Sequence, residues 1–145
     1  MNSPALRTAQ ADDLPRMTRL LEESSLSPEG ASEFLEHFRV VLDGTDIVGV
    51  VGLEQYGSDG LLRSLAVAPS QRSRGIGVLL LRQAIEDARR LGIRRLVLLT
   101  TTAADYFGRH GFRIIDRASV AGELTSSSQF RGACPATATC MEMLL

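Results

Sequence analysis

The sequence predicts an α/β (α+β) fold, a sheet flanked by helices, on three observations. Short apolar runs of β type alternate with stretches of helical spacing in the order β-α-α-β-β-β-α-β-α-β. Two of the runs, Phe38-Arg39-Val40-Val41-Leu42 and Ile47-Val48-Gly49-Val50-Val51-Gly52-Leu53, are joined by Asp43-Gly44-Thr45-Asp46, a hairpin signal. Another, Leu96-Val97-Leu98-Leu99, is apolar throughout, as expected of a strand covered on both faces. With 145 residues, 44% of them hydrophobic, the chain can build one real core, and the expected unit is a single domain over residues 1–145.

The elements follow in order. Leu6-Arg7-Thr8-Ala9 reads as a short first strand. Asp12 then caps a helix with Leu14, Met17, Leu20 and Leu21 on one face, Pro15 being tolerable in its first turn. Ser27-Pro28-Glu29 is a second helix start, a cap followed by proline at the first helical position, with Ala31, Phe34 and Leu35 facing inward. Beyond the hairpin, Gly57-Ser58-Asp59-Gly60 turns into the strand Leu61-Leu62-Arg63-Ser64-Leu65-Ala66-Val67, which Ala68-Pro69-Ser70 stops. From Gly77 onward Leu80, Leu81, Ala84, Ile85, Ala88 and Leu91 recur at helical spacing, and Gly92 supplies a left-handed stop. Thr102-x-x-Asp105 is a capping box opening a short helix that ends at Gly111. Phe112-Arg113-Ile114-Ile115 resumes as a strand, residues 118–132 read as polar loop with helical turns, and Met141 to Leu145 closes the sheet.

Between the strand ending at Val67 and the helix after Gly77 lies a basic loop, Gln71-Arg72-Ser73-Arg74-Gly75-Ile76-Gly77. A loop of this kind aims consecutive backbone N–H groups and the positive end of a helix dipole at one point, an anion site suited to a pyrophosphate. It is not a P-loop, since Val78-Leu79 stands where Lys and Ser or Thr are needed, and it has two glycines rather than the three of a dinucleotide fingerprint. The plainer alternative is a surface βα turn with solvated arginines; strand, Arg72 and helix in register favour the anion site.

Arg72-x-x-Gly75-x-Gly77 after a Val-Ala-Pro strand end resembles the signature of the GNAT superfamily of acetyl-coenzyme A-dependent N-acetyltransferases, and the element order is that of its fold. Leu99-Thr100-Thr101 and Tyr106-Phe107-x-x-x-Gly111-Phe112 resemble the acetyltransferase domain of bacterial N-acetylglutamate synthase. Over nearly its whole length, including Cys134-Pro135, the chain is similar to the arsenic-resistance N-acetyltransferases. The resemblance implies a single GNAT fold with a mixed, mostly antiparallel central sheet flanked by helices, in which the strand ending at Val67 and the strand ending at Leu99 splay apart. It implies acetyl-CoA as co-substrate and a small amino acid or amino-acid-like amine as acceptor. Main-chain groups of Arg72, Ser73, Arg74, Gly75, Ile76 and Gly77 would hold the pyrophosphate. The pantetheine arm would lie along the backbone of Leu65, Ala66 and Val67, with an amide near Leu65 polarising the thioester carbonyl.

The proton-transfer groups are where this sequence departs from the family pattern. The tyrosine that many members place five residues before the Phe of the Gly-Phe pair is here Phe107, with Tyr106 one residue earlier and pointing about 100° away. Thr100 and Tyr106 are the two candidates for protonating the thiolate; the plainer readings are a helix-start cap for Thr100 and a half-buried aromatic for Tyr106. The base carboxylate that often starts the strand before the loop is missing from Leu61, Leu62 and Arg63, so Glu54 is the nearest acidic candidate, acting through water. The plainer reading of Glu54 is a solvated hairpin residue, and that of His110 a surface residue near a helix end. Arg63, inside an apolar strand, either clamps a substrate carboxylate, with Thr101 alongside, or is exposed on one face. The paired arginines of glutamate synthases are missing around Ser25 to Glu29, which sets glutamate itself in question.

A net charge of −1 argues against nucleic acid as a general partner. No apolar run approaches the ~20 residues of a membrane span, so no membrane partner is expected. Met1-Asn2-Ser3-Pro4 lacks the basic and apolar regions of a signal peptide, and a cytoplasmic chain is expected. Cys134 and Cys140, without clustered His, make no zinc site, and no metal is expected; as free thiols near the core they behave as small hydrophobes, a redox or arsenic-binding role being the lesser reading. A homodimer is common in the superfamily but has no signal in these residues. A non-catalytic CoA-binding module and a peptide or protein N-acetyltransferase stand as alternatives to the small-molecule enzyme.

Overall fold

Seven strands make one sheet: β1 (Ala5–Thr8), β2 (Phe38–Asp43), β3 (Asp46–Tyr56), β4 (Asp59–Val67), β5 (Arg95–Thr100), β6 (Arg113–Ile115) and β7 (Thr139–Leu144). This computed structural model describes residues 4–145, so the Met1-Asn2-Ser3 part of the stretch read for a leader lies outside the described residues. The strand order is β1-β2-β3-β4-β5-β7-β6. Every pairing is antiparallel except β4 with β5. Three helices flank the sheet: α1 (Leu14–Glu23), α2 (Ile76–Arg90) and α3 (Ala104–Arg109). The mixed, mostly antiparallel sheet is therefore as expected, and β7 does more than close it: it enters between β5 and β6.

Alternation along the strands divides the core between the two faces. Val41, Val48, Val51, Leu53 and Leu62 pack with Ile76, Leu80, Leu81, Ala84 and Ala88 of α2. Val40, Ile47, Val50 and Ala66 pack with Met17, Leu20 and Leu21 of α1. Strict period-two alternation would put Leu62, Ser64 and Ala66 on one face. It is broken in β4, where Ser64 and Leu65 lie opposite the single residue Val51, a β-bulge with Ser64 in the left-handed region at φ 62°. The break returns Leu65 and Val67 to the α2 face and leaves Arg63 with Ala66 on the other. Arg39 on β2 grips Asp87 on α2 through two bonds of 2.9 and 3.0 Å, fixing the helix against the sheet. Burial alone would raise the Asp87 pKa, but hydrogen bonds from Arg39, Gln83 and Arg90 outweigh it and hold the carboxyl below its usual value.

Three expected starts fall differently. Asp12 is not the cap of α1; the adjoining Asp13 is buried and accepts from the Gln10 N–H at 2.8 Å while pairing with Arg7 and Arg16. The segment after Ser27-Pro28-Glu29 forms 3-10 turns over Ala31–His37, not an α-helix. Gly30 at φ 81° turns the chain just after Pro28 and Phe34 breaks helical geometry, although Ala31, Phe34 and Leu35 do pack inward. Thr102 does not cap α3: the Ala103 N–H goes to the Thr100 hydroxyl at 3.0 Å, so the capping oxygen comes from the end of β5. Residues 117–133 wind through short helical turns as expected, and their segment covers a third apolar cluster around Leu61, Val97, Leu124 and Cys140.

Two expectations test this packing. The Asp13 carboxyl is held at about 2, against a usual 3.8, chiefly by the hydrogen bond from Arg7, against the opposing effect of burial. Because the folded value is depressed, about 2 kcal/mol of stability is present above pH 4 and is lost as pH falls toward 2. Asp13→Asn is expected to flatten that stretch of the stability-pH curve measured by urea unfolding. At Gly52 an added Cβ would fall inside contact distance of the Phe38 ring. Gly52→Ala is expected to lower the unfolding free energy by about 1–3 kcal/mol, read from the urea midpoint.

Candidate functional site

β4 and β5 pair only at their beginnings, Asp59–Leu61 against Arg95–Val97, and then diverge. The gap is a cleft of about 490 Å³ with Leu62 to Val67 on one wall and Leu98 to Ala103 on the other. Separation leaves the later part of β4 without a strand partner on the β5 side, so its backbone can take an extended ligand as an added strand. The bulge at Ser64 and Leu65 interrupts the other ladder at the same level, releasing backbone polar groups in the middle of the wall.

At one end of the cleft stands the start of α2. The first intrahelical bond runs from the Leu79 N–H to the Gly75 carbonyl at 3.0 Å, so the N–H groups of Ile76, Gly77 and Val78 have no partner within the helix. Ser73 at φ 68° and Gly75 at φ 80° curl the preceding loop, and both line the cleft with Ile76 and Gly77. Arg72 is there too, its Nε donating to the Val67 carbonyl at 3.2 Å. Exposed donors, a helix dipole and a guanidinium converge on one place, which is the chemistry that holds a phosphate or diphosphate.

The opposite end is roofed by two chain segments that meet over β4. Ser128 Oγ donates to the Glu29 carbonyl at 3.1 Å, and the thiol of Cys134 donates to Gln129 Oε1 at 2.8 Å. Burial pushes the Cys134 thiol pKa up, so it stays protonated. Beneath this roof Arg63 donates from Nη1 to Glu54 Oε2 at 2.7 Å, from Nη2 to the Ser27 carbonyl at 3.0 Å and from Nε to Ser64 Oγ at 2.9 Å. The Arg63 and Glu54 side chains are each 1% exposed. The second Glu54 oxygen accepts from the Tyr56 hydroxyl, whose pKa is raised first by burial and then by that carboxylate. The Phe38 ring lies 5.7 Å from the guanidinium carbon.

Among the described residues, two buried side-chain polar atoms have no hydrogen-bond partner, Ser24 Oγ and the Tyr106 hydroxyl, and both residues line this cleft. Buried hydroxyls are otherwise almost always satisfied, so each leaves an open bonding position on the cleft wall that a polar ligand or water can fill. Burial raises the Tyr106 pKa, against the smaller effect of Arg109, so the hydroxyl is a proton donor at neutral pH.

Residues 5–112 match the acetyltransferase (GNAT) family. The chain belongs to that family. The amino-acid acetyltransferase of Neisseria meningitidis serogroup B is 30% identical over 118 residues, covering 75% of this chain. The chain spans only 27% of that relative's length. The amino-acid acetyltransferase of Mycobacterium tuberculosis is 30% identical over 132 residues, covering 83% of this chain and 75% of the relative. In fold the chain is similar to N-acetylglutamate synthase from Neisseria gonorrhoeae, solved with coenzyme A and N-acetyl-glutamate, at TM-score 0.83 and 23% identity over 100% of this chain and 36% of that one.

Within this GNAT fold the cleft gathers Arg63, Leu65, Ala66, Val67, Arg72, Ser73, Gly75, Ile76, Gly77, Thr100, Thr101 and Tyr106. It does not gather Glu54 or Arg74, whose guanidinium donates to Gln71 Oε1 at 3.1 Å. Glu54 is not a solvated hairpin residue, and it has no free oxygen facing the cleft through which to work on a water; both oxygens are taken, by Arg63 and Tyr56. Arg63 is not exposed on one face either: it is buried and paired. Thr100 is both a cleft residue and a helix-start cap, its hydroxyl proton still free to be donated. Cys140 is buried in β7, whereas Cys134 precedes that strand and lines the cleft. Sequence reasoning missed Ser24, Ser64 and Gln129, which come from a helix end, a bulge and a surface turn with no motif of their own.

Removing one member of the buried pair strands the other. Arg63→Met is expected to destabilise the fold by about 3–5 kcal/mol, and the double substitution Arg63→Met with Glu54→Gln to recover most of that in urea unfolding.

Proposed function

We propose that this chain binds acetyl-CoA in the β4–β5 cleft and transfers its acetyl group to the primary amine of a small amino acid or amino-acid-like compound. The observation that carries the reading is the continuity of the cleft: unpaired amides at the start of α2, unpaired backbone along β4 and two orphan hydroxyls lie along one groove. Family membership and the coenzyme A held by solved GNAT relatives support the same cofactor. The names of the 30%-identical relatives support an amino acid as acceptor. A link to arsenic resistance rests on the sequence resemblance alone. The same reading takes residues 1–145 as one acetyltransferase domain, cytoplasmic, free of nucleic acid and able to pair as a homodimer. Among the described residues no helix is long and apolar enough to cross a membrane, and no group of three His, Cys, Asp or Glu side chains is placed to hold a metal.

In this mechanism backbone N–H groups from Arg72 to Gly77, with the Arg72 guanidinium, hold the diphosphate. The cofactor supplies the acyl carbon as a thioester, and the main chain of Leu65, Ala66 and Val67 aligns its arm. An amide beside the Ser64 bulge donates toward the carbonyl oxygen, where charge develops. Much of the acceleration comes from holding amine and thioester together. Tyr106 and Thr100, both able to donate, are the groups for the leaving thiolate. Among the described residues the cleft lining has no carboxylate and no imidazole, so the amine proton leaves through hydroxyls and water rather than to a dedicated base.

Calorimetry with CoA and a thiol-release assay with acetyl-CoA and an amino-acid panel test the reading. Micromolar CoA binding and thiol release with a subset of amines are expected, with kcat/KM rising with pH toward the pKa of the amine itself. Gly75→Val, which forces a β-branched residue to φ 80°, is expected to weaken CoA binding about tenfold. Of Tyr106→Phe and Thr100→Val, at least one is expected to lower kcat by about a hundredfold. CoA binding with no thiol release from any amine would convert the assignment to a non-catalytic module.

A further inference from the structure

Two of the residues lining the cleft are charged, Arg72 at the α2 end and Arg63 at the roofed end. Arg63 does not present a free positive charge, because Glu54 cancels it at 2.7 Å and both side chains are sealed from solvent. Around them the roofed end is made of uncharged groups: Ser24, Ser27, Ser64, Gln129 and Cys134. Other charges on the covering segments stand elsewhere. Arg117 is stacked on Phe130 and bonded to the carbonyls of Pro135 and Phe130, while Glu29 and Arg131 are exposed to solvent that screens them. The acceptor end therefore carries one cation and one anion, a net charge of zero.

Burying a ligand with an uncompensated charge in such a place is unfavourable. An α-amino acid with a neutral side chain arrives as a zwitterion of zero net charge. A dicarboxylic amino acid arrives with one carboxylate in excess, and Arg63 is already committed to Glu54. We infer that Glu54 is a specificity-determining residue: by neutralising Arg63 it makes the acceptor site select α-amino acids with uncharged side chains over glutamate and aspartate. The inference rests on the acetyl-transfer reading and narrows its substrate class. Glu54 acts here through Arg63, as a positioning and charge-setting residue, without touching the reacting atoms.

The test compares isosteric acceptors that differ in charge, glutamine against glutamate and asparagine against aspartate, by thiol release from acetyl-CoA with the full chain. The wild-type protein is expected to favour the amide of each pair in kcat/KM by about tenfold or more. Glu54→Gln leaves the Arg63 charge free and is expected to shrink that ratio by about tenfold, through a lower KM for the diacid and not through kcat. Glu54→Gln strands a buried cation and can fail to fold, so the double substitution with Arg63→Met supplies the second measurement. It restores zero net charge and is expected to keep the wild-type ratio. Equal use of acid and amide by the wild type, or a diacid preference acquired by the double variant, would overturn the inference. Thiol release with neither member of either pair, while the panel shows other amines acetylated, also overturns it. Absence of thiol release across the whole panel, with CoA still bound, sinks the acetyl-transfer reading itself, and this inference falls with it.

Discussion

Two residues of β4, Ser64 and Leu65, stand opposite one residue of β3, and the site depends on that mismatch. A regular ladder would have paired β3 and β4 along their whole length and sent Arg63, Leu65 and Val67 to a common face. Instead the apolar side chains join the α2 layer, while the arginine goes to the other face beside Phe38 and Glu54. Ser64 adopts a left-handed conformation that glycine takes without strain, and its hydroxyl accepts from the Arg63 guanidinium. The strained residue is thus tied into the network it makes possible, and the bulge falls in the stretch of β4 that has already separated from β5.

The buried pair beneath the roof is a poor choice if stability were its purpose. Removing two charges from water is expensive, and well-packed apolar residues of equal volume often do as well or better. What an ion pair offers that Met and Leu do not is a defined electrostatic condition at the wall of a cavity. Each guanidinium nitrogen and each carboxylate oxygen has a partner in the protein, with Ser27, Ser64 and Tyr56 taking up bonds beside the ion pair itself. The α2 end differs: its donors are main-chain N–H groups left open by helix geometry, indifferent to which side chains surround them. One end of the groove offers main-chain donors and the other a neutralised ion pair.

What the sequence disclosed follows from this division. The strand, basic loop and helix from Leu61 to Leu91 were legible because Gly75, Gly77 and the apolar spacing after them leave a local pattern. The β2–β3 hairpin, the stop at Gly92 and the apolar β5 were legible for the same reason. The bulge was not, because Ser64 stands where a glycine would have announced it. The start of α3 was misplaced because its cap, Thr100, sits at the end of the preceding strand and leaves the Thr102 pattern unused. The Arg63–Glu54 pair had a usable signal. The turn after Tyr56 is two residues long, Gly57 and Ser58, pairing Tyr56 with Asp59 and therefore Glu54 with Leu61. The four-residue turn read from the sequence would equally have put Glu54 and Arg63 on one face, where diagonal or direct neighbours meet. The roof over them, from residues 24–30 and 127–135, was beyond reach, since contacts a hundred residues apart leave no periodicity.

The placement of β7 governs the order in which the molecule can be assembled. Among the described residues β6 has β7 as its only strand neighbour, and the far edge of β5 is likewise closed by β7, with Arg95 opposite Leu144. Before residues 139–144 enter that slot, β5 is held by its three-residue pairing with β4 and β6 lacks a strand partner, whereas β2, β3 and β4 are joined through consecutive hairpins and β1 reaches β2 across residues 9–37. The β2-β3-β4 hairpins rest on contacts near in sequence, whereas seating β7 is a long-range closure, the slower kind of event. Thr100 pairs with Thr139 at the start of β7, and Cys134 lies just ahead of that strand, so the second wall of the groove is braced by the closing strand.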